Sequence, residues 1–181
     1  SIRWRLLDIV RSLDLPDCWI AAGFIRNMVW DRLHQRDHSP IASDVDVIWY
    51  DRSRPDADTD RDVEALLCRA EPSIDWSVKN QARMHLRNGD APYASATDSM
   101  RHWPETATAI AVRRSGPDGC DISAPFGLHD LIDLTLRPTP RFTSEKRPIY
   151  LDRIGDKGWT ARWPRLRVAS DHEAGAAPIS S

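Results

Sequence analysis

Two segments decide the fold of this chain: CWIAAGFIRNMVWDRLH at residues 18–34 and SDVDVIWYD at residues 43–51. The apolar run 18–22 has the length and composition of a buried strand, and it ends at Gly23. After this glycine, apolar residues recur at helical spacing as far as Leu33. In the second segment, apolar residues alternate with aspartate, which is the period of a strand. The sequence therefore predicts a strand, a glycine turn and a helix, followed by a second strand.

The second predicted strand carries two acids, Asp44 and Asp46, separated by one residue. On a strand this spacing places both carboxylates on the same face, about 6 to 7 Å apart along the chain. Their mutual repulsion is relieved if a divalent cation binds between them, and Mg²⁺ typically takes one or two carboxylates together with substrate phosphates. Taken alone, the pair could equally lie on the solvated face of a half-buried sheet.

The upstream glycine turn favours the metal interpretation. Because Gly23 has no side chain, the backbone N–H groups at the start of the following helix can approach a phosphate closely. Arg26, one helical turn later, could add a charge-assisted bond to the same anion. Alone, the glycine is an ordinary turn and the arginine an ordinary surface residue. Together with Asp44 and Asp46, they predict a site for a metal–triphosphate complex.

These segments resemble the Gly-Gly-x-x-Arg-Asp and Asp-x-Asp motifs of nucleotidyltransferases of the DNA polymerase beta superfamily, especially the head domain of CCA-adding enzymes. Ala22-Gly23 stands where that motif has two glycines, and Asn27 stands where it has an acid. A longer string is similar to a small bacterial family of stand-alone nucleotidyltransferase-like proteins, over most of residues 4–166. It adds VKNQARMH at 78–85, TATAIAV at 106–112 and APFGLHDL at 124–131.

The resemblance implies an α/β (α+β) nucleotidyltransferase fold, with a small mixed sheet and helices on one face. It also implies two-metal, Mg²⁺-dependent transfer of a nucleoside monophosphate from an NTP to a hydroxyl group. Asp44 and Asp46 would hold the metal with a third carboxylate from a neighbouring strand. Asp121 is the first choice for this third ligand, because its strand is predicted to pair with residues 106–112, and Asp75 is the second.

The predicted nucleotide-binding residues come from the glycine turn and from a polar stretch near residue 80. They are Gly23, Phe24, Arg26, Asn27, Lys79, Asn80 and Arg83. The alternative for the polar stretch is a solvated helix or strand face. No P-loop, nucleophile elbow or dinucleotide fingerprint occurs in the sequence, and no histidine has zinc-ligand spacing.

Composition limits the partners. The 181 residues carry 25 basic and 27 acidic side chains, a net charge of −2, so reading of a DNA groove is not expected. No apolar run is long enough to span a membrane.

The length predicts one domain over 1–168, followed by a disordered tail over 169–181. Three cysteines without C-x-x-C spacing, and an N-terminal segment unlike a signal peptide, predict a cytoplasmic location.

The acceptor stays open at this stage. Residues 137–167 hold nine basic side chains against three acidic ones, and this segment could bind an RNA end; a small molecule or a protein side chain is the other candidate. Repair of tRNA ends by this chain alone is not expected, because few residues follow Pro164 to form the helical regions that CCA-adding enzymes use. The alternative to an enzyme is a noncatalytic nucleotide-binding or regulatory module that retains the fold.

Overall fold

A computed structural model describes residues 1–41 and 43–170 of the chain. Its strands are β1 (Trp19–Ala21), β2 (Val45–Trp49), β3 (Trp76–Asn80), β4 (Ala111–Arg114), β5 (Cys120–Ser123), β6 (Thr135–Leu136) and β7 (Arg167–Val168). Its α-helices are α1 (Ile2–Arg11), α2 (Gly23–Leu33), α3 (Ala57–Ala70), α4 (Gln81–Asn88), α5 (Ala96–Met100), α6 (His129–Ile132), α7 (Arg147–Lys157) and α8 (Trp159–Arg162). No helix in the described ranges is long and apolar enough to cross a membrane.

The first five strands form one mixed sheet in the order β3-β2-β1-β4-β5. Strands β2 and β3 are parallel, and the other neighbours are antiparallel. The predicted mixed α/β fold is therefore confirmed. Strands β6 and β7 form a separate parallel pair near the C-terminal end of the described chain.

The alternation of side chains along β2 divides the sheet into two unlike faces. Val45, Val47 and Trp49 point to one face, where they pack with Ile20 and with apolar residues of α1 and α3. The opposite face carries Asp46 and a smaller apolar cluster, which is covered in part by α5. Helices α1 and α3 cover the first face, and α5 covers only part of the second. Part of the face that bears Asp46 is therefore open to solvent.

A third apolar cluster fastens the C-terminal helices to α2. Trp30 of α2 is fully buried and meets Trp159 and Trp163 edge to face, with ring centroids 5.8 and 5.1 Å apart. Such aromatic contacts stabilise by about 0.5 to 1.5 kcal/mol beyond the burial of apolar area. They hold the basic segment of α7 and α8 beside the first turn of α2.

Two stretches differ from their sequence-based expectation. The predicted strand over 106–112 begins at Ala111, because Thr106–Thr108 forms a 3₁₀ helix. Residues 126–136 have a sequence that also predicts a helix, but the helix is limited to α6, since Leu134 adopts a positive φ of 54° and the chain continues as β6. Most of the predicted tail, from residue 171 onward, lies outside the described residues.

Candidate active site

The candidate active site is a cleft on the open face of the sheet. Asp44 and Asp46 lie at the start of β2, on either side of the buried Val45. Both acids line a cavity of about 360 Å³, and so does Gly23 in the first turn of α2. The structure thus brings together the two carboxylates and the glycine turn.

Asp46 is half-buried, and its pKa is raised to about 6. Burial is the main cause, and the negative charge of Asp44 is the second. A hydrogen bond with Ser77, which lies beside Asp46 in the parallel β2–β3 register, acts in the opposite direction. The positive charges of Arg26 and Arg153 also lower this pKa. The site therefore holds an acid whose negative charge is incompletely compensated by protein groups.

The raised pKa predicts a pH-dependent stability for the metal-free protein. Between the ordinary value of 3.8 and about 6, the folded state binds more protons at Asp46 than the unfolded chain does. The wild type should therefore lose stability relative to Asp46→Asn as pH rises through this window. Thermal melting of both proteins in a chelator, at a series of pH values, measures the difference. A difference that is constant across the window would contradict the assignment.

The turn between β1 and α2 exposes backbone to the cleft. Ala22 has φ 52° and ψ −119°, a conformation that strongly favours glycine. A Cβ atom on Gly23 would lie 3.2 Å from Ser43 Oγ, so glycine allows the segment before β2 to approach the helix closely. Ala22 and Gly23 line the cleft, so the N-terminus of α2 opens onto it, and the helix dipole there favours an anion.

Ala22→Gly is expected to stabilise the protein by about 1 kcal/mol, because relief of about 1 to 3 kcal/mol of backbone strain outweighs the roughly 0.4 to 1 kcal/mol lost to the greater freedom of glycine in the unfolded chain. Urea denaturation measures the change. The matched control is Ala21→Gly on β1, where a buried methyl group is lost and destabilisation of about 1 kcal/mol is expected. Destabilisation by both glycines would contradict the strain at position 22.

The guanidinium group of Arg26 is buried and held from several sides. It donates to Thr108 Oγ1 and to Asn27 Oδ1, each at 2.9 Å. Its Cζ atom lies 4.9 Å from the ring centroid of Trp30 and 4.4 Å from that of Trp159. Burial lowers the pKa of Arg26 to about 10, so the group is still charged at neutral pH. Arg26 therefore supplies positive potential to the cleft from a fixed position.

Three further cations line the cleft from α7 and α8: Arg153, Lys157 and Arg162. Arg153 Nε donates to Glu105 Oε1 at 2.7 Å, and Glu105 is fully buried. Lys157 and Arg162 form no ion pair with the residues that the structure describes. None of these three cations is among the nucleotide-binding residues predicted from the sequence. Their signal was the basic segment 137–167, but its sequence does not reveal that it folds back onto α2.

Two predicted nucleotide-binding residues have structural roles away from the cleft. Asn80 is fully buried and caps α4, where it accepts the N–H of Ala82 at 3.0 Å and donates to the carbonyl of Asp51 at 2.8 Å. Arg83 forms an ion pair with the buried Asp60. The prediction of Asn80 and Arg83 as nucleotide ligands is wrong. Strand alternation points the side chain of Asn80 toward α3, and Arg83 pairs with Asp60 of that helix.

Of the other predicted nucleotide-binding residues, Phe24 lies in the core and Lys79 lines a cavity. The side chain of Phe24 is 3% exposed and belongs to the core with α1, so its predicted binding role is wrong for the side chain. Lys79 lies beside Ile48 in the β2–β3 register, on the same face as Asp46. It lines a second cavity next to the first.

The predicted third carboxylate, Asp121, lies at the far edge of the sheet. Strand β5 does pair with β4 as expected, but β4 and β1 separate it from β2. Three strand spacings correspond to roughly 14 Å, and Asp121 pairs with Arg113 at 3.0 Å. The prediction of Asp121 as a metal ligand is therefore wrong.

Asp75 does not complete a metal site either. It is exposed just before β3, and it shares with Asp44 a shallow cavity outside the main cleft. No group of three metal-ligating side chains occurs within residues 1–41 and 43–170. The chain thus offers two carboxylates, Asp44 and Asp46, to a cation in the cleft.

This pair could hold one Mg²⁺ ion together with the phosphate oxygens of a triphosphate. Within the described part of the chain Asp44 has no ion-pair partner, and Asp46 is close enough to Asp44 for their charges to repel. A divalent cation would relieve that repulsion, and phosphate oxygens and water would supply its other ligands. The surrounding cations of α7 and α8 are suited to the phosphates rather than to the metal.

A mixed sheet whose strand carboxylates meet a helix N-terminus in a basic cleft is the arrangement that the sequence resemblance to nucleotidyltransferases implied. The sequence profile of a family described as "Nucleotidyltransferase" matches residues 8–168. The chain belongs to this family, and its activity class is nucleotidyl transfer.

Solved structures agree with this assignment. An NMR structure described as a CCA-adding enzyme head domain is similar with a TM-score of 0.82 and 31% identity, over 92% of this chain and 88% of that one. A tRNA-processing enzyme in apo form I has a TM-score of 0.57 and 17% identity, over 94% and 43%. A complex of a tRNA-processing enzyme has 0.58 and 17%, over 92% and 43%. The last two show the fold alone, and this chain spans less than half of their length. No curated protein matches the chain significantly.

Proposed function

We propose that this protein transfers a nucleoside monophosphate from an NTP to a hydroxyl group of an acceptor, with Mg²⁺ held by Asp44 and Asp46. One observation carries the proposal: two carboxylates, a helix N-terminus and four cations line the same cavity. The cations are Arg26, Arg153, Lys157 and Arg162. Opposite charges that converge in this way suit a metal–triphosphate complex, which carries both signs.

The protein groups have distinct roles in this reaction. Bound Mg²⁺ would neutralise triphosphate charge and polarise the phosphoryl group under attack. The leaving pyrophosphate would rest at the N-terminus of α2, near Lys157 and Arg162, where positive charge stabilises the charge that develops on it. Asp44 and Asp46 fix the position of the complex, because both project from one strand whose core face is buried.

A thermal titration tests the site. Mg²⁺ together with ATP, CTP, GTP or UTP should raise the melting temperature of the wild type, and neither component alone should do so to the same extent. The stabilisation should vanish in Asp46→Asn and persist in Asp121→Asn, the matched control on the edge strand. Equal stabilisation of wild type and Asp46→Asn would overturn the site assignment. Nucleotide binding without transfer to any acceptor would favour the noncatalytic module.

A further inference from the structure

A second and larger cavity adjoins the proposed triphosphate site. Its volume is about 720 Å³, and it shares Ala22, Asp46 and Arg153 with the first cavity. Along the open face of β2, Asp44 lines the first cavity, Asp46 lines both, and Ile48 lines the second. The two cavities therefore lie end to end, with Asp46 at their junction.

This arrangement matches the geometry of phosphoryl transfer. The attacking and leaving oxygens lie roughly in line on opposite sides of the phosphorus atom. If the α-phosphate binds at Asp46 and the pyrophosphate extends toward Lys157 and Arg162, the attacking hydroxyl must approach from the side of the second cavity. In that geometry the acceptor would enter through the second cavity.

The lining of the second cavity indicates what kind of acceptor fits. Four cations and one carboxylate, Asp46, contribute to it. Lys146 lies 3.7 Å from Asp90, and Arg153 is paired with the buried Glu105. The other two cations are Lys79 and Arg87, and neither has an ion-pair partner among the described residues.

Lys79 and Arg87 project into the cavity from adjoining elements. Lys79 is on β3, and its Nζ donates to the carbonyl of Val78 at 2.9 Å. Arg87 is in the last turn of α4, three residues after Met84, which lines the same cavity. The cavity also has apolar lining, from Trp103, Phe142 and Ile149 among others. Uncompensated cations beside apolar side chains favour an organic anion.

We propose that the second cavity binds the acceptor, and that this acceptor carries a phosphate ester held by Lys79 and Arg87. The inference rests on the proposed function, since it takes the pyrophosphate to lie in the first cavity. A sugar phosphate and the terminal nucleotides of an RNA share this chemistry. Both place a hydroxyl group near a phosphate ester.

Calorimetric titration tests the proposal. The protein is saturated with Mg²⁺ and α,β-methylene ATP, and ribose 5-phosphate or ribose is added. Ribose 5-phosphate is expected to bind at least about tenfold more tightly than ribose, because a charge-assisted phosphate contact contributes about 1.4 kcal/mol or more. Lys79→Gln and Arg87→Gln should each weaken its binding about tenfold. Arg69→Gln, which replaces an exposed arginine of α3, is the matched control and should leave binding unchanged.

A short oligoribonucleotide with a free 3′ hydroxyl forms the second arm. Binding of the oligoribonucleotide that is lost in the Lys79 and Arg87 variants supports the proposal with an RNA end as the source of the phosphate. If only ribose 5-phosphate binds, and its binding is lost in the same variants, the proposal is supported with a small molecule as the source of the phosphate. The proposal is overturned if neither probe binds, or if the variants weaken the ATP analogue and leave both probes unaffected.

Failure of the proposed function gives a different result. Titration of ribose 5-phosphate without nucleotide reports on the second cavity alone. If the ATP analogue does not bind the wild type while ribose 5-phosphate binds through Lys79 and Arg87, the nucleotide site is wrong and the phosphate site is retained. If the analogue binds and ribose 5-phosphate does not, with the oligoribonucleotide also inactive, the acceptor proposal alone is overturned.

Discussion

Asp46→Asn is expected to slow nucleotidyl transfer about 1,000-fold, the loss typical when a preorganised charge at a reacting phosphoryl group is removed. The variant keeps the shape of the side chain and the contact with Ser77, but it halves the negative charge that the protein offers to the cation. Release of pyrophosphate from an NTP measures the rate, with a panel of sugar phosphates, RNA oligonucleotides and protein acceptors to identify the acceptor that gives turnover.

Asp121→Asn is the control for this loss of activity. It removes a carboxylate from the same sheet, but from the edge strand, where the acid pairs with Arg113 and is 44% exposed. Transfer within about twofold of wild type is expected, since a surface ion pair contributes at most about 1 kcal/mol to stability. A thousandfold loss in Asp121→Asn, with the activity of Asp46→Asn retained, would show that the metal binds elsewhere.

The sequence alone predicts those residues of the candidate site that lie close together in the chain. A glycine turn, a helix start and a strand with alternating acids each leave a periodic pattern within about ten residues. The placement of Asp44, Asp46 and Gly23 around one cavity follows from that pattern, because β2 pairs directly with β1. The mixed sheet, by contrast, was implied by the resemblance to nucleotidyltransferases and not by these local patterns.

The remaining part depends on contacts between distant segments. The prediction of Asp121 rests on the order of the strands along the chain, but the sheet places two strands between β5 and β2. The prediction of Asn80 and Arg83 rests on their polarity beside Lys79, although both contact the buried Asp60. Local polarity does not distinguish a ligand from a buried structural group, because both need hydrogen-bond partners.

The cations of α7 and α8 illustrate the same limit. They reach the cleft because Trp159 and Trp163 pack against Trp30, more than a hundred residues earlier in the chain. Both tryptophans are buried there, with Trp159 5% and Trp163 1% exposed. The sequence alone does not reveal that these tryptophans pack against α2. It therefore does not predict the position of Lys157 and Arg162.

Arg26→Ala is expected to destabilise the protein by about 3 kcal/mol, the second large effect that the structure predicts. The change removes hydrogen bonds of a charged donor to Thr108 and Asn27, each worth about 1.5 kcal/mol or more. It also removes the cation that lies between Trp30 and Trp159. Urea denaturation measures the loss, and Arg32→Ala, an exposed arginine of the same helix, should change stability by less than about 0.5 kcal/mol.

Lys157→Ala should give the opposite pattern, because Lys157 is exposed at the cleft and has no ion-pair partner in the described chain. Its stability should stay within about 0.5 kcal/mol of wild type, while its Kd for Mg²⁺–NTP rises about tenfold through loss of a phosphate contact. Arg26 would then set the shape of the cleft and Lys157 would bind the ligand. If Lys157→Ala left the affinity for Mg²⁺–NTP unchanged, the triphosphate would have to bind outside the space between α2 and α7.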